Sequence, residues 1–268
     1  MPAVSDIITA LEAAYPPELA ESWDAVGLVC GDPADDVTRV LFCVDPVTET
    51  VDEAIELGAQ LIVAHHPLLL RGVHGVPADT AKGGLVHRMI RAGVALYCAH
   101  TNADSADPGV SDALAGAIGL RVLRPLDPNP DGVTGIGRIG ELPEAEPFAD
   151  FVERVGKALP ATVPGVLGAG DPERPIRTVA VSGGAGDSYL ARATAAEVDA
   201  FVTADLRHHP AGEHLGGTGV VPALVGVTHW ASEWPWCGQA SAVVEAATAG
   251  TVDTCVSTRC TDPWNLRA

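Results

Sequence analysis

Short apolar runs alternate with amphipathic stretches along most of this chain. The runs at 40–44, 61–64 and 94–99 have the length and composition of buried strands, and the stretch at 49–57 has helical spacing. Thr48 is placed to cap this helix and Gly58 to end it. Strands that alternate with helices predict a largely parallel sheet with helices on both faces.

The same alternation continues to the end of the sequence, so the predicted fold class is α/β throughout. The first helix is predicted at 6–14, with Ser5 as its cap and Pro16 as its stop. The other helices are predicted at 84–91, 111–118, 148–159, after Asp187 and at 241–247, and the other strands at 135–142, 178–181, 200–203, 223–227 and 252–257.

A segment rich in proline and turn-forming residues, 125–132, interrupts this pattern and cannot extend a helix or a central strand. We interpret it as a domain boundary. Candidate metal ligands lie in both the first and the last parts of the chain. The prediction is therefore two α/β domains with mixed, largely parallel sheets: a metal-binding domain of residues 1–124 and 218–268, and a smaller domain of residues 125–217 inserted into it.

Candidate metal ligands follow directly after two of the predicted strands. His65 and His66 follow the strand at 61–64, and both can serve one site only because Pro67 ends the strand there. Asp104 follows the strand at 94–99, and ligands of parallel sheets bind beyond the carboxyl ends of strands. Taken singly, the histidine pair is equally well explained as polar loop residues, and Asp104 as a turn aspartate that caps the next helix.

His100 precedes Asp104 and has three interpretations. It is a partner that holds a metal ligand in place, a proton carrier, or a histidine packed at a strand end, and we favour the first.

His229 and Glu233 are four residues apart, a spacing that places two side chains on one face of a helix. Trp230, Trp234 and Trp236 surround them and either wall a cleft or belong to the core. With His65, His66 and Asp104, this pair supplies three imidazoles and two carboxylates, which suits divalent transition metals.

Five protein ligands are more than one catalytic ion needs, because such ions keep positions open for water and substrate. Two divalent ions sharing a carboxylate fit better. In the proposed division, Glu233 bridges, His65 and Asp104 hold one ion, and His66 and His229 hold the other. Zinc, iron, manganese, cobalt and nickel all accept such ligands.

Two other motifs carry weaker signals. The glycine-rich segment 182–188 either binds an anion at a helix start or forms a tight turn with Asp187 or Ser188 as a helix cap, and we favour the turn. The segment 205–209, with Asp205 and two histidines, is either a surface turn or lies near the metal site.

Composition restricts the partners. The net charge is −19, with 16 Lys and Arg against 35 Asp and Glu, so the long-range field repels phosphate backbones and nucleic acid is an unfavourable partner. The six cysteines show no two-residue spacing, which predicts reduced, mostly buried thiols. The sequence has no signal peptide pattern and no apolar run of membrane-spanning length, so the expected location is the cytoplasm.

Six segments of the chain together resemble the GTP cyclohydrolase 1 type 2 homolog family. They are residues 21–28, 64–67, 100–104, 182–187, 203–209 and 229–233, in this order. The resemblance implies a two-domain α/β subunit, a dinuclear metal site on His65, His66, Asp104, His229 and Glu233, and a toroidal homohexamer. The chain resembles the short form of the family. It departs from the family pattern at Ala25, Ser182 and Thr228, which bears on substrate contacts.

The predicted function is a metal-dependent hydrolase which, by this resemblance, acts on GTP or a related nucleotide or cyclic amide. The alternative is a noncatalytic metal-binding ring that serves as a scaffold or handles metal ions. A third possibility, a ring that binds nucleic acid, is opposed by the net charge.

Overall fold

The computed structural model of the protein describes all residues, Met1–Ala268. Eleven strands alternate with nine α-helices, as the apolar pattern predicts, and the α/β fold class is confirmed. The strands are β1 (Gly27–Cys30), β2 (Arg39–Cys43), β3 (Leu61–Ala64), β4 (Ala95–Cys98), β5 (Arg121–Pro128), β6 (Gly135–Pro147), β7 (Leu167–Ala169), β8 (Pro175–Ala185), β9 (Ala200–Ala204), β10 (Ala223–Val227) and β11 (Asp253–Val256).

The helices lie between these strands at most of the predicted positions. They are α1 (Val4–Ala14), α2 (Thr48–Leu57), α3 (Ala81–Ala92), α4 (Thr101–Ser105), α5 (Val110–Ala117), α6 (Phe148–Ala158), α7 (Leu190–Ala195), α8 (His208–Leu215) and α9 (His229–Ala247), and single 3-10 turns occur at Pro17–Leu19 and Asp187–Tyr189. No helix combines the length and the apolar character needed to cross a bilayer.

The chain folds into two compact units. Unit one comprises Met1–Ala106 and Cys237–Thr261, and unit two comprises Asp107–Trp236 and Asp262–Ala268. Most of unit two therefore interrupts unit one along the chain. The boundaries predicted at 124/125 and 217/218 stay a prediction.

Unit one contains a five-stranded sheet in the order β1-β4-β3-β2-β11. The four strands from β4 to β11 run parallel, and β1 is antiparallel at one edge. Every residue of β3 and β4 is buried. One face packs on a cluster that includes Leu41, Ile62 and Leu96 from the sheet and Val51 and Met89 from α2 and α3. This two-sided burial explains why these strands are continuous apolar runs.

Unit two contains a six-stranded mixed sheet in the order β5-β6-β8-β9-β10-β7. Its centre, β8-β9-β10, is parallel, and its outer strands pair antiparallel. Successive residues of β9 alternate between two core clusters: Val202 packs with Phe151 on one face, and Phe201 packs with Leu190 on the other. Residues 125–128 extend β5, an edge strand, which tolerates proline because one side of it makes no ladder.

Both predicted helix caps in unit one are wrong. Helix α1 begins at Val4, before Ser5, and the Asp6 carboxylate accepts from the Ala3 N–H (2.8 Å). Helix α2 begins at Thr48 itself, and the Thr50 hydroxyl accepts from the Val47 N–H (3.0 Å). In each case the side chain three residues into the turn binds the backbone in place of the expected cap. Gly58 ends α2 in the left-handed conformation, as predicted.

The prediction of a helix only at 241–247 is too short. Helix α9 begins at His229 and continues for 19 residues, with Pro235 inside it. Proline removes one backbone hydrogen bond from a helix interior.

All six cysteines are free, as predicted, and Cys260 is the exposed one.

Candidate functional site

Three neighbouring parallel strands of unit one end at the same edge of their sheet. β3 lies between β2 and β4, so His65 and His66 after β3 lie between Asp45 after β2 and His100 after β4. One ring nitrogen from each of the three histidines lies within 4.8 Å of those of the other two. The ring centroids are 5.1 to 5.6 Å apart. The strand order thus brings these three imidazoles together.

Asp104 lies in the short helix α4, which begins directly after His100. Its Oδ1 atom is 3.7 Å from Nε2 of His65. The turn of α4 therefore returns this carboxylate to the histidines, as parallel pairing of β3 and β4 leads one to expect.

The Nδ1 atom of each of these imidazoles contacts an oxygen acceptor. The partners are the Ala99 carbonyl for His65 (2.9 Å), Asp45 for His66 (2.7 Å) and Asp24 for His100 (2.9 Å). Because these oxygens only accept, Nδ1 carries a proton in each ring, and Nε2 is the nitrogen left to face the cluster. Histidines that bind metals have this arrangement, in which the other ring nitrogen is held by a carboxylate or a carbonyl.

Asp24 is the centre of a small buried network in unit one. Its carboxylate accepts from His100, from the backbone N–H of Thr101 (3.0 Å) and from the Thr101 hydroxyl. Burial alone would raise the pKa of Asp24, but the hydrogen bonds from Thr101 and His100 outweigh it and hold the pKa below its usual range. Burial, together with nearby His65, lowers the pKa of His100 to about 4 despite the Asp24 contact. His100 is therefore neutral at pH 7.

Unit two repeats this arrangement with β8, β9 and β10. These three parallel neighbours end near Gly184, Asp205 and His229 respectively. The Nδ1 atom of His229 contacts Oδ2 of Asp205 at 2.7 Å, so Nδ1 carries a proton and the ring is oriented by this carboxylate. One helical turn further, Oε1 of the buried Glu233 lies 3.0 Å from that Nε2. The predicted helical pairing of His229 and Glu233 is present in the structure.

Gly184 lies directly against these two donor atoms. It has a φ of +66°, and a Cβ atom built on it would lie 2.5 Å from Oε1 of Glu233 and 3.1 Å from Nε2 of His229. Its backbone is held on both sides, because its N–H donates to Ser232 (2.9 Å) and its carbonyl accepts from Thr203 (3.0 Å). Only glycine leaves the space in front of the donor pair open.

The donors in both units fit a divalent metal ion. They combine imidazole nitrogens with carboxylate oxygens, which bind zinc and related ions at about 2.0 to 2.2 Å. Each imidazole is oriented by a partner on its other nitrogen, and a glycine keeps space beside the pair in unit two. The protein thus has groups of histidine and glutamate that could hold a metal ion.

Known proteins match this chain over nearly its whole length. The family described as Duf34/NIF3 (NGG1p interacting factor 3) matches residues 2–263. This chain belongs to the Duf34/NIF3 family. A GTP cyclohydrolase 1 type 2 homolog of Streptomyces coelicolor is 53% identical over 270 residues, covering 98% of this chain and 94% of the relative.

Two further Duf34/NIF3 comparisons bear on length and fold. A GTP cyclohydrolase 1 type 2 homolog of Mycobacterium bovis is 41% identical over 370 aligned positions, covering 98% of this chain and 97% of the relative. That alignment is longer than the 268 residues here, as expected for a short form. The crystal structure of a Bacillus cereus protein related to NIF3 superposes with a TM-score of 0.89 at 24% identity, covering 100% of this chain and 99% of that one, and it shows the shared fold.

Sequence reasoning on this Duf34/NIF3 chain missed the residues that hold the imidazoles. Asp24 and Asp45 were not singled out, and Asp205 was placed only near the metal site. A signal was present for two of them, because Asp45 and Asp205 directly follow the ends of β2 and β9, as the histidines follow their own strands. Asp24 lies on a loop before β1, and nothing in the local pattern connects it with His100.

The glycine-rich segment 182–188 has a different role from the one predicted. No side chain caps the 3-10 turn at Asp187–Tyr189 or helix α7, so the proposed cap by Asp187 or Ser188 is wrong. Asp187 instead pairs with Arg207.

Of the tryptophans near His229 and Glu233 in the sequence, Trp236 is fully buried and Trp230 nearly so. Both are therefore core residues.

Proposed function

We propose that this Duf34/NIF3 protein is a metal-dependent hydrolase that uses two divalent ions, with His65, His66, Asp104, His229 and Glu233 as their ligands. One observation carries the proposal. All three proposed ligand histidines have Nδ1 bonded to an oxygen acceptor, so Nε2 is the nitrogen that each would offer to a metal. The assignment of all five residues to one dinuclear centre, with Glu233 as the bridge, is part of the proposal.

Divalent ions held by these ligands would acidify water and polarise an electrophilic carbon or phosphorus. The protein contributes the orientation of the ligands. Asp45 and Asp205 hold His66 and His229. His100, whose pKa is lowered to about 4, stays neutral at pH 7 and adds no positive charge beside the ligands His65 and His66. Asp24 holds the ring of His100 in place.

For the substrate, we propose GTP or a related nucleotide or cyclic amide. The name of the Streptomyces and Mycobacterium relatives supports a ring-opening hydrolysis.

We also propose that the protein forms a homohexamer in the cytoplasm. Light scattering of the purified protein would then give about six times the 27.5 kDa chain mass.

The test combines metal analysis with hydrolysis assays. Protein loaded with zinc, manganese, iron, cobalt or nickel should hold two ions per chain and hydrolyse at least one compound in a panel of nucleotides, lactams, amides and phosphoesters. Two bound ions with no hydrolysis of the panel would favour the noncatalytic alternative. Absence of stoichiometric metal would exclude both.

The Glu233→Gln variant tests the bridge. Loss of one carboxylate shared by two ions should lower the occupancy of both, as measured by elemental analysis after dialysis. Glu213→Gln is the matched control, because Glu213 is exposed on α8 and its substitution changes the charge equally. Loss of only one ion in Glu233→Gln would contradict the bridging role.

A further inference from the structure

Two aromatic side chains of this protein are more than half exposed, Trp23 and Trp264, at 58% and 68%. A single exposed tryptophan is common and means little by itself. Trp23, however, lies against the imidazoles of unit one. Its ring centroid is 6.1 Å from that of His100, with the rings at 78° in an edge-to-face arrangement.

The loop that carries Trp23 is fixed on both sides of the indole. The backbone N–H of Glu21 donates to the Thr101 hydroxyl (2.9 Å), and the carboxylate of Asp24 binds both Thr101 and His100. The Asp24 N–H also donates to the Glu21 carbonyl (2.9 Å). The Asp24 carboxylate therefore positions the His100 imidazole, and the same contacts fix Asp24 itself, the residue that follows Trp23 in the chain. The backbone on both sides of Trp23 is thus anchored, so the loop loses little conformational freedom when the indole binds a ring.

We propose that Trp23 is a substrate-binding residue that stacks on the planar ring of a nucleobase or a similar heterocycle next to the imidazole cluster. An indole face offers a large apolar surface with little conformational freedom to lose, and every heteroaromatic ring has a π-face that can cover it. The inference rests on the proposed function, because it assigns the ring class that this site binds.

The experiment measures binding of guanosine to the metal-loaded full chain by equilibrium dialysis, for the parent and for Trp23→Ala, Trp23→Phe and Trp264→Ala. Trp23→Ala should bind about tenfold more weakly, equivalent to about 1.4 kcal/mol of stacking. Trp23→Phe keeps an aromatic face and should stay within about threefold of the parent. Trp264→Ala, the control that removes the other exposed indole, should bind as the parent does. Ribose, which lacks the planar ring, should not bind.

Several results would overturn the inference. They are equal guanosine affinity in Trp23→Ala and the parent, an equal loss in Trp264→Ala, and a parent chain that binds none of guanosine, adenosine, uridine and nicotinamide. A change of subunit number in Trp23→Ala with unchanged affinity would also overturn it, since the indole would then be a subunit contact. Thermal unfolding of each variant, with Trp23→Phe as the conservative substitution, separates lost stacking from lost folding.

Metal content and hydrolysis are measured on the same samples, so the two proposals fail separately. Guanosine binding that depends on Trp23 in a chain without metal would reject the proposed function and keep the stacking role. If the chain holds metal and hydrolyses a substrate, but its guanosine affinity is the same with and without Trp23, only the stacking role is rejected.

Discussion

Unit one and unit two both carry their candidate metal ligands at the carboxyl ends of three adjacent parallel strands. In unit one, the ends of β2, β3 and β4 each contribute a residue, and the imidazoles are oriented by Asp45, Asp24 and the Ala99 carbonyl. In unit two, both donors lie on the first turn of α9, one partner, Asp205, orients His229, and the Gly184 backbone lies directly against the donor pair. Both arrangements therefore use hydrogen-bond partners, and the second depends in addition on space beside the donors.

The difference shows that the carboxyl ends of parallel strands can hold a donor side chain in two ways. Asp45 also accepts from Thr261, and its side chain is 25% exposed. Asp205, the corresponding carboxylate in unit two, is 55% exposed. A less exposed, multiply bonded carboxylate holds an imidazole more firmly than a more exposed one, because water competes less for its oxygens. Unit two compensates with the rigid Gly184 backbone, which is bonded to Ser232 and Thr203.

The largest effect is expected from Gly184→Ala. A methyl group 2.5 Å from the Glu233 carboxylate forces the donor pair apart, so metal affinity should fall at least about 100-fold by competition with a fluorescent chelator. Gly132→Ala is the matched control: its φ is +73° and nothing lies within 4 Å of the new carbon. It should lose about 1 kcal/mol of stability from the left-handed backbone and keep its metal affinity. Equal metal affinity in the two variants would show that space at Gly184 is not what holds the pair.

A smaller effect, about 10- to 100-fold in metal affinity, is expected from Asp45→Ala, since such partners orient the metal-binding ring. Asp205→Ala should lower metal affinity less, about threefold, because water competes for the oxygens of this exposed carboxylate. The same chelator assay measures both. A larger loss in Asp205→Ala than in Asp45→Ala would reverse the comparison between the units.

The last prediction concerns a different quantity, the stability of the metal-free protein as a function of pH. The pKa of His100 is lowered from its ordinary value of 6.5 to about 4, so between these values the unfolded state binds a proton that the folded state does not. Stability should therefore fall as the pH falls from 7 to 5, and His100 should account for about 2 kcal/mol of this loss. Urea unfolding of His100→Gln should have a correspondingly weaker pH dependence over this window. An unchanged dependence would contradict the buried, neutral state of His100.

Much of the architecture could be predicted from local patterns. Apolar runs identified the strands that carry His65, His66 and His100, because strands covered on both faces are continuously apolar. The four-residue spacing of His229 and Glu233 predicted a shared helical face, and α9 begins there. The length of α9 and the caps of α1 and α2 were wrong because they depend on backbone partners that compete over one or two residues.

The sequence by itself determined the fold class, the family and the kinds of atom available to a metal: imidazoles and carboxylates at strand ends. Tertiary structure alone decided which oxygen holds each ring, that Asp24 joins a loop before β1 to His100, and that Gly184 keeps space beside Glu233. The reason is physical. Apolar periodicity records which face of an element is buried, whereas hydrogen-bond partners and steric room are set by residues that are distant in the chain and adjacent only after the strands have paired.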